Sequence, residues 1–150
     1  MYLAAKEAWQ GMEAGHGGPF GCVIVKGDMV IGRGHNMVLQ NNDPTSHAEI
    51  VAIREACAFL NNFQLTGCEI YCSCEPCPMC LGAIYWARPD RVYYANTRHD
   101  AAAIGFDDRF IYEELNLPDP QRRIPVKCIP STEARQAFAR WKEKGDKTLY

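Results

Sequence analysis

The spacing of apolar and polar positions divides the first half of the chain into helices and a hairpin. Between residues 2 and 14 apolar side chains recur at helical spacing, which predicts an amphipathic first helix. Residues 20–26 and 29–34 are β-type runs separated by Gly27-Asp28, and this pattern predicts a hairpin. Helical spacing returns between His47 and Leu60. The first half therefore predicts helix, hairpin and helix in that order.

Shorter runs divide the second half. Thr66-Gly67 precedes a strand, Pro89 stops a helix, and Gly105 breaks a longer helical pattern. The predicted elements are strands at 69–73, 92–95 and 126–129 and helices at 77–87, 97–117 and 132–144. Strands alternating with helices predict a three-layer α/β/α fold with a mixed five-stranded sheet. The length of 150 residues fits one domain over 1–150, with residues 145–150 as a tail.

Composition narrows the classes of partner. The apolar share is 47% and the charged share 23%, as in ordinary globular domains. No apolar run is long enough to span a membrane, and the N-terminus lacks the pattern of a signal peptide. The net charge of −2 is weak evidence against nucleic acid and favours a small substrate. The sequence contains eight cysteines, and most of those outside the motifs below lie in apolar stretches. We therefore expect reduced thiols and a cytoplasmic protein.

Two short motifs carry the candidate chemistry. His47-Ala48-Glu49 is followed, after 26 residues, by Pro76-Cys77-Pro78-Met79-Cys80. Together they supply one imidazole, two thiolates and one carboxylate. Catalytic zinc sites use three protein ligands and keep a further position for water, whereas structural sites are usually closed by four. The motifs therefore predict one Zn²⁺ per subunit with a bound water or hydroxide.

The local sequence favours this arrangement. Residues i and i+2 point to different sides within a helix, so His47 and Glu49 can converge only where a helix begins. Pro76 and Pro78 also suit the start of a helix, because their missing N–H groups cost little there. Two helix N-termini facing one metal would favour the thiolate forms of the cysteines.

Two other metal centres are conceivable in the same region of the sequence. A closed zinc site could use four cysteines of this region: Cys72, Cys74, Cys77 and Cys80. That site would leave His47 and Glu49 without a role, and Cys72 and Cys74 lie on a predicted strand. An iron–sulfur run would need one more cysteine, but Ile84 stands four residues after Cys80.

Several longer stretches match a known family. Three of them are Gly17-Gly18-Pro19-Phe20-Gly21, Asn42-Asp43-Pro44-Thr45 and Gly105-Phe106-Asp107-Asp108. The others are the two metal motifs. The second motif is preceded by Ser73-Cys74-Glu75 and followed by Leu81-Gly82-Ala83-Ile84-Tyr85-Trp86-Ala87-Arg88-Pro89. On these residues the chain resembles the cytidine deaminase superfamily, whose signature is H-x-E…P-C-x-x-C. Within it, the chain resembles the small bacterial guanine deaminases. The segment Gly105–Asp108 and the final Tyr150 carry that finer resemblance, since the other stretches are shared with tRNA adenosine deaminases.

The resemblance implies roles for particular residues. Zinc would be bound by His47, Cys77 and Cys80. Glu49 would take a proton from zinc-bound water and deliver it to the purine. Asp108 would recognise the base or assist proton transfer at its amino group.

The resemblance also implies a pocket around the base. Asn36 would hydrogen-bond the purine, Phe20 and Trp86 would help wall the pocket, and Tyr150 would help close it. The residues alone leave simpler interpretations open. Asn36 has the sequence context of a turn former, and Phe20 and Trp86 suit a core. Asp108, before Arg109, could be a helix cap or a solvated ion pair.

Further residues receive no firm role. Asp43 either steadies its loop or holds a ligand of the zinc site, and His35 and His99 are given no catalytic function. The tail at 145–150 either packs on its own domain or acts as a lid. The resemblance favours the lid and a homodimer whose C-terminal segments are exchanged.

The function implied is zinc-dependent hydrolysis of guanine, a small purine base, to xanthine and ammonia. The alternatives are deamination of adenosine in tRNA or of cytosine, and a zinc-binding module without turnover. An intact Glu49 argues against the last, since a structural zinc site does not need it.

Overall fold

The structure is a computed structural model, and it describes residues 1–149. In chain order the elements begin with α1 Tyr2–Glu13, β1 Gly21–Lys26, β2 Met29–His35, α2 Val38–Asn41, α3 Ala48–Leu60, β3 Cys68–Cys74, α4 Pro78–Ala87, β4 Arg91–Asn96 and α5 Arg98–Ala103. Further along lie α6 Arg109–Leu115, a 3₁₀ turn Asp119–Gln121 and α7 Thr132–Glu143. These bounds match the predicted helices and the first four predicted strands to within a few residues. The broken helical pattern at 97–117 is two short helices, and the predicted loop at 35–46 contains the single turn α2.

The sheet is mixed, as predicted. Its strand order is β2-β1-β3-β4. β1 pairs antiparallel with both β2 and β3, and β3 pairs parallel with β4. The register places Cys22 of β1 opposite Gly34 on one side and Cys72 on the other. A parallel pair needs a long crossover, and α4 supplies it between β3 and β4.

The prediction of a fifth strand at 126–129 is wrong. Within residues 1–149 the sheet has four strands, and residues 126–129 form no regular element. Val126 is 52% exposed and Ile129 is 80% exposed. A short β-type run becomes a strand only when a neighbouring backbone completes its hydrogen bonds and side chains pack on it. Local sequence does not reveal whether that neighbour exists.

Helices cover both faces of the sheet. A Cβ on Gly21 of β1 would lie 2.1 Å from the Ala4 carbonyl oxygen of α1. A Cβ on Gly34 of β2 would lie 2.3 Å from the Ala48 carbonyl oxygen of α3. Gly34 pairs with Cys22, the neighbour of Gly21, and successive residues of a strand face opposite sides. α1 and α3 therefore pack on opposite faces, and glycine allows each helix to approach its strand closely.

The hydrophobic core lies on the α3 face. Ile24, Leu65 and Ile70 are fully buried, and they belong to one cluster with Ala52 and Ala56 of α3. Small alanine side chains let α3 lie near the sheet, so its N-terminus is held rigidly. That N-terminus carries His47.

The chain divides into two compact units, Met1–Phe110 and Ile111–Tyr150. In the second unit Arg122 donates to the carbonyl oxygens of Glu114 and Leu117 and forms an ion pair with Asp119 at 2.8 Å. No helix among the described residues is long and apolar enough to cross a membrane. The expectation of one domain over 1–150 stays a prediction.

Candidate active site

The start of α3 and the start of α4 bring the three predicted metal ligands together. His47 is the N-cap residue of α3 and Cys77 the N-cap residue of α4, both with extended backbone. His47 Nδ1 lies 3.5 Å from Cys77 Sγ and 3.5 Å from Cys80 Sγ. The ligand atoms of the three residues all lie within 4.8 Å of one another. The predicted helix starts thus position the side chains as the spacing required.

The three groups shift one another's pKa values. The Cys77 thiolate accepts hydrogen bonds from Cys80 and His47, which lower the pKa of Cys77 to about 4. Its hydrogen bond with Cys77 and its burial raise the pKa of the Cys80 thiol. The contact with Cys77 raises the pKa of His47. Metal ligation requires deprotonated thiols and a neutral imidazole, so a bound cation would displace protons from these groups.

The donor set fits a zinc ion with three protein ligands. Two sulfurs and one imidazole nitrogen are typical zinc ligands, and three of them leave a position free. The alternative site of four cysteines is not formed. Cys72 Sγ contacts Cys22 Sγ at 3.9 Å in the core, and Cys74 Sγ donates to the Thr97 carbonyl at 3.5 Å. Within residues 1–149, the metal-binding group contains neither Cys72 nor Cys74.

Glu49 lies in the first turn of α3 beside this cluster. It is only 8% exposed, and its Oε2 accepts a hydrogen bond from Cys80 Sγ at 3.4 Å. Burial raises the pKa of its carboxyl group. A carboxyl group with a raised pKa can take up and release a proton near neutral pH, as a general acid/base must.

Asn36 and Phe20, two of the predicted pocket residues, are hydrogen-bonded to each other through their backbones. Asn36 is 5% exposed, and its backbone N–H donates to the Phe20 carbonyl at 3.0 Å. The Val38 N–H donates to Asn36 Oδ1 at 3.2 Å, which fixes the orientation of the amide. Phe20 meets Phe106 edge to face, with ring centroids 4.9 Å apart. Asn36 is thus a buried, oriented group rather than a simple turn former.

An apolar cleft of about 400 Å³ adjoins Phe20. Its lining includes Trp9, Met12, Phe20, Cys74, Asn96 and Ile104. Phe20 also packs against the core cluster. The lining of this cleft includes neither the metal ligands nor Glu49. The core interpretation of Phe20 thus describes part of its surroundings, and its role in the purine pocket stays a prediction.

The Gly105–Asp108 segment returns to the same region. Gly105 has a φ of +97°, a conformation that favours glycine and turns the chain. Burial raises the pKa of Asp108, and so does the negative charge of Cys77. Asp108 therefore lies within electrostatic reach of the metal cluster. The N–H of Arg109 and its guanidinium instead donate to Asp107, each at 2.9 Å. The ion pair with Arg109 considered for Asp108 is formed by its neighbour Asp107.

Asp43 steadies the loop that leads to His47. Its carboxylate accepts from the Thr45 N–H, the Thr45 hydroxyl and the Ser46 hydroxyl, each at 2.8 Å. The bonds from Thr45 lower the pKa of Asp43. Ser46 is 1% exposed and directly precedes the metal ligand. Of the two roles considered for Asp43, loop stabilisation is the one observed.

The pocket roles of Asn36, Phe20, Trp86 and Tyr150 all stay predictions. Trp86 is 65% exposed on α4. Tyr150 lies outside the described residues. One contact was missed: His16 lies 2.9 Å from His35 although 19 residues separate them, and no local pattern signals such a pair.

Comparison with known families agrees with this site. Residues 1–96 match the family described as the cytidine and deoxycytidylate deaminase zinc-binding region. This chain belongs to that family. The matched part contains the metal cluster and Glu49, whereas Asp108 lies beyond it.

Individual relatives narrow the similarity. The chain is 52% identical over 143 residues to a guanine deaminase of Bacillus subtilis (strain 168), covering 95% of this chain and 92% of that protein. The X-ray structure of guanine deaminase from Bacillus subtilis matches with a TM-score of 0.95 over 98% of this chain and 94% of the other, at 52% identity. A tRNA-specific adenosine deaminase of Aquifex aeolicus (strain VF5) is 33% identical over 146 residues, covering 96% of this chain and 92% of that protein.

Proposed function

We propose that this protein is a zinc-dependent guanine deaminase, which hydrolyses guanine to xanthine and ammonia and so serves purine catabolism. One observation carries the proposal. Buried Glu49 lies against the cluster of His47, Cys77 and Cys80, in a chain that is 52% identical to a guanine deaminase. A non-catalytic zinc module would have no use for a buried carboxylate at that place.

The residues divide the chemistry between them. His47, Cys77 and Cys80 hold one zinc ion per subunit. When bound, zinc would lower the pKa of a water molecule to about 7 and so supply a nucleophile at neutral pH. Glu49 takes a proton from the attacking water and passes it to a ring nitrogen of the purine. Water thereby adds at C2, its second proton goes to the amino nitrogen, the bond from C2 to that nitrogen breaks, and ammonia leaves.

Asp108 selects guanine. Guanine presents two donors side by side, N1–H and the 2-amino group, and a carboxylate accepts from both. Adenine presents an unprotonated N1, which repels a carboxylate. The position of Asp108 near Cys77 supports this role, since the charge of Cys77 acts on its pKa. Asn36 binds the base, and Phe20 and Trp86 wall the pocket.

A small base is favoured over tRNA. The net charge of −2 gives no general attraction to phosphates. The only adjacent basic pair is Arg122-Arg123, and Arg122 is already engaged with Asp119. The relative specific for tRNA is also less similar than the guanine deaminase. Free cytosine is a further alternative within the family.

The protein acts in the cytoplasm as a homodimer with exchanged C-terminal segments. β4 is an edge strand, and its Tyr94 is 50% exposed. Residues 126–129 are extended in sequence character yet unpaired within the described chain, and Phe138 of α7 is 82% exposed. A second copy can cover such surfaces, as exchanged elements do in dimers. The tail at 145–150 then closes the site, with Tyr150 as part of the lid.

Ammonia release by the zinc-loaded protein tests this function. Guanine, adenine, cytosine, adenosine and a tRNA anticodon stem-loop are compared at equal concentration. We expect guanine turnover at least 100-fold above the others, because an unmatched hydrogen-bond pattern is rejected strongly in a buried site. Preferred turnover of tRNA or cytosine would refute the assignment, and no turnover with full zinc occupancy would refute an enzyme of this class.

A further inference from the structure

Three side chains outside the metal centre form a continuous chain from α1 to the loop that follows it. Glu7 Oε2 lies 3.6 Å from His35 Nδ1, and His35 Nε2 lies 2.9 Å from His16 Nδ1. The two imidazole rings are stacked, with centroids 5.1 Å apart and planes 25° apart. The deamination chemistry described above uses neither histidine.

The order of partners favours one arrangement of donors and acceptors. A carboxylate only accepts, so the Nδ1–H of His35 faces Glu7 and His35 accepts through Nε2. His16 then donates from Nδ1 to His35 Nε2. Loss of the His16 donor would break this bond between the two rings.

Charged groups around the pair come from α1, β2 and α3. Arg33 Nη1 lies 3.5 Å from Glu7 Oε1, so Glu7 faces a guanidinium as well as His35. The carboxylate of Glu55 on α3 accepts from the Arg33 N–H at 2.8 Å. α2 contributes Val38, Leu39, Gln40 and Asn41, none of which is charged. Glu7 is thus held between Arg33 and His35.

His16 joins three parts of the first unit. The backbone N–H of His16 donates to the Gly11 carbonyl near the end of α1. The backbone carbonyl of His16 accepts from the N–H groups of Leu39 and Gln40 in α2. His35 packs against the same residue of α1: a Cβ on Gly11 would lie 2.4 Å from His35 Cδ2. Both histidines are therefore seated on one point of α1.

The residues next to the two histidines touch each other. Gly17 follows His16, Asn36 follows His35, and a Cβ on Gly17 would lie 2.0 Å from Asn36 Oδ1. The strand carrying His35 also ends at this point, and Asn36 donates from its backbone to Phe20. Each histidine of the pair thus directly precedes, in sequence, one of the two residues in the contact between Gly17 and the buried Asn36 side chain.

We propose that the chain Glu7–His35–His16 positions the purine site, holding Gly17 against Asn36 so that its amide is preset for the base. This inference rests on the proposed function. None of the three residues touches the substrate; each acts through Asn36 and the segment 17–20. Loss of the histidine bond should weaken purine binding while the chemical step, which depends on Glu49 and the metal, continues.

Three variants separate the hydrogen bond from the fold. His16→Ala removes the donor. His16→Asn keeps a donor nitrogen near the Nδ1 position and is the conservative variant. Glu7→Gln keeps an acceptor for His35 and removes the charge. Glu13→Gln, an exposed glutamate on the same helix, is the matched control.

The measurements are KM and kcat for guanine at neutral pH, and the Kd of the product xanthine by calorimetry. We expect His16→Ala to raise KM and the Kd about three- to tenfold, the size that one net hydrogen bond supports. Its kcat, zinc content and melting temperature should stay near wild type. His16→Asn should restore KM and the Kd toward wild type, because it restores the donor. Glu7→Gln should raise KM less than His16→Ala, because it keeps an acceptor, and Glu13→Gln should leave KM unchanged.

The outcomes are distinguishable from failure of the function itself. A zinc-loaded wild type inactive on guanine refutes the proposed function. A wild type active on guanine, together with a His16→Ala variant of unchanged KM and Kd, overturns the positioning role. A KM and a Kd in His16→Asn as high as in His16→Ala would show that the donor at this position does not set the purine site, and would overturn the proposal. If His16→Ala lowers both kcat and the melting temperature, the histidine pair serves fold stability alone and the positioning role is overturned.

Discussion

Residues 1–110 and residues 111–149 differ sharply in how they bury their apolar side chains. The first unit contains all of the buried residues in the described chain, including Ile24, Leu65 and Ile70. The second contains none, and its Ile129 and Phe138 are about as exposed as free side chains, at 80% and 82%. The metal cluster and Glu49 therefore sit on a self-contained scaffold, whereas the C-terminal unit presents apolar surface.

This difference has an energetic side. Burying a side chain such as Phe138 stabilises a protein by about 1.5–3 kcal/mol relative to exposure. α7 has 12 residues, and isolated helices shorter than about 12–15 residues are marginal in water. Such a helix needs a surface to pack on. The comparison therefore predicts that changes in the first unit affect chemistry within one subunit, while changes in the second affect assembly and closure.

The largest effect is expected from loss of a metal ligand in the first unit. Cys77→Ala or Cys80→Ala should remove zinc, abolish turnover and lower the melting temperature, because metal binding is coupled to folding. Metal analysis and thermal unfolding measure this. Cys57→Ala on α3 is the matched control and should keep its zinc. A stable, zinc-replete double variant would place the ligands elsewhere.

Loss of the proton carrier is expected to come next. Glu49→Gln should retain zinc and lose turnover by about 10²–10⁴-fold, since an amide cannot accept and return the proton. Guanine turnover and zinc content are measured together. Glu55→Gln on the same helix should remain active. Near-normal turnover by Glu49→Gln would show that another group moves the proton.

Asp108 tests how far the first unit alone sets the substrate. Asp108→Ala should reduce kcat/KM for guanine by about 10²-fold or more, with zinc in place, because the buried donors of the base lose their acceptor. Asp107→Ala, which removes the partner of Arg109, should have a much smaller effect. If the two variants behave alike, Asp108 is a structural residue of the turn.

The smallest effect is expected from the second unit. Removing Thr148 to Tyr150 should lower guanine turnover without loss of zinc, because the site would close less well. Mixing this truncated chain with Glu49→Gln, under conditions that allow subunit exchange, should restore part of the activity. The truncated subunit keeps its Glu49 and receives a tail from its inactive partner.

The hybrid also sharpens the comparison. Verified hybrids without recovery would argue that the tail serves its own subunit. Full activity of the truncated protein alone would remove the lid, and the C-terminal unit would then contribute only to assembly. Sedimentation of the wild type and of Phe138→Asp tells whether the exposed face of α7 is needed for a dimer.

The sequence by itself determined most of the helices, the first four strands and the chemistry of the metal cluster. Helical spacing, Pro78 and the polar loop before His47 predicted where α3 and α4 begin, because helix starts depend on a few adjacent residues. The residue types in the two motifs then identified the donor set. These inferences are local, so they needed no knowledge of what packs on what.

The tertiary structure decided what local patterns leave open. Residues 126–129 have the composition of a strand, yet pairing requires a second backbone, and none is in place within the described chain. The contact with Arg109 at the start of α6 belongs to Asp107 rather than Asp108, which only the folded backbone could settle. His16 and His35 meet across 19 residues, on a single point of α1. Such contacts depend on how elements pack, because side chains distant in sequence become neighbours only when the sheet and its helices have assembled.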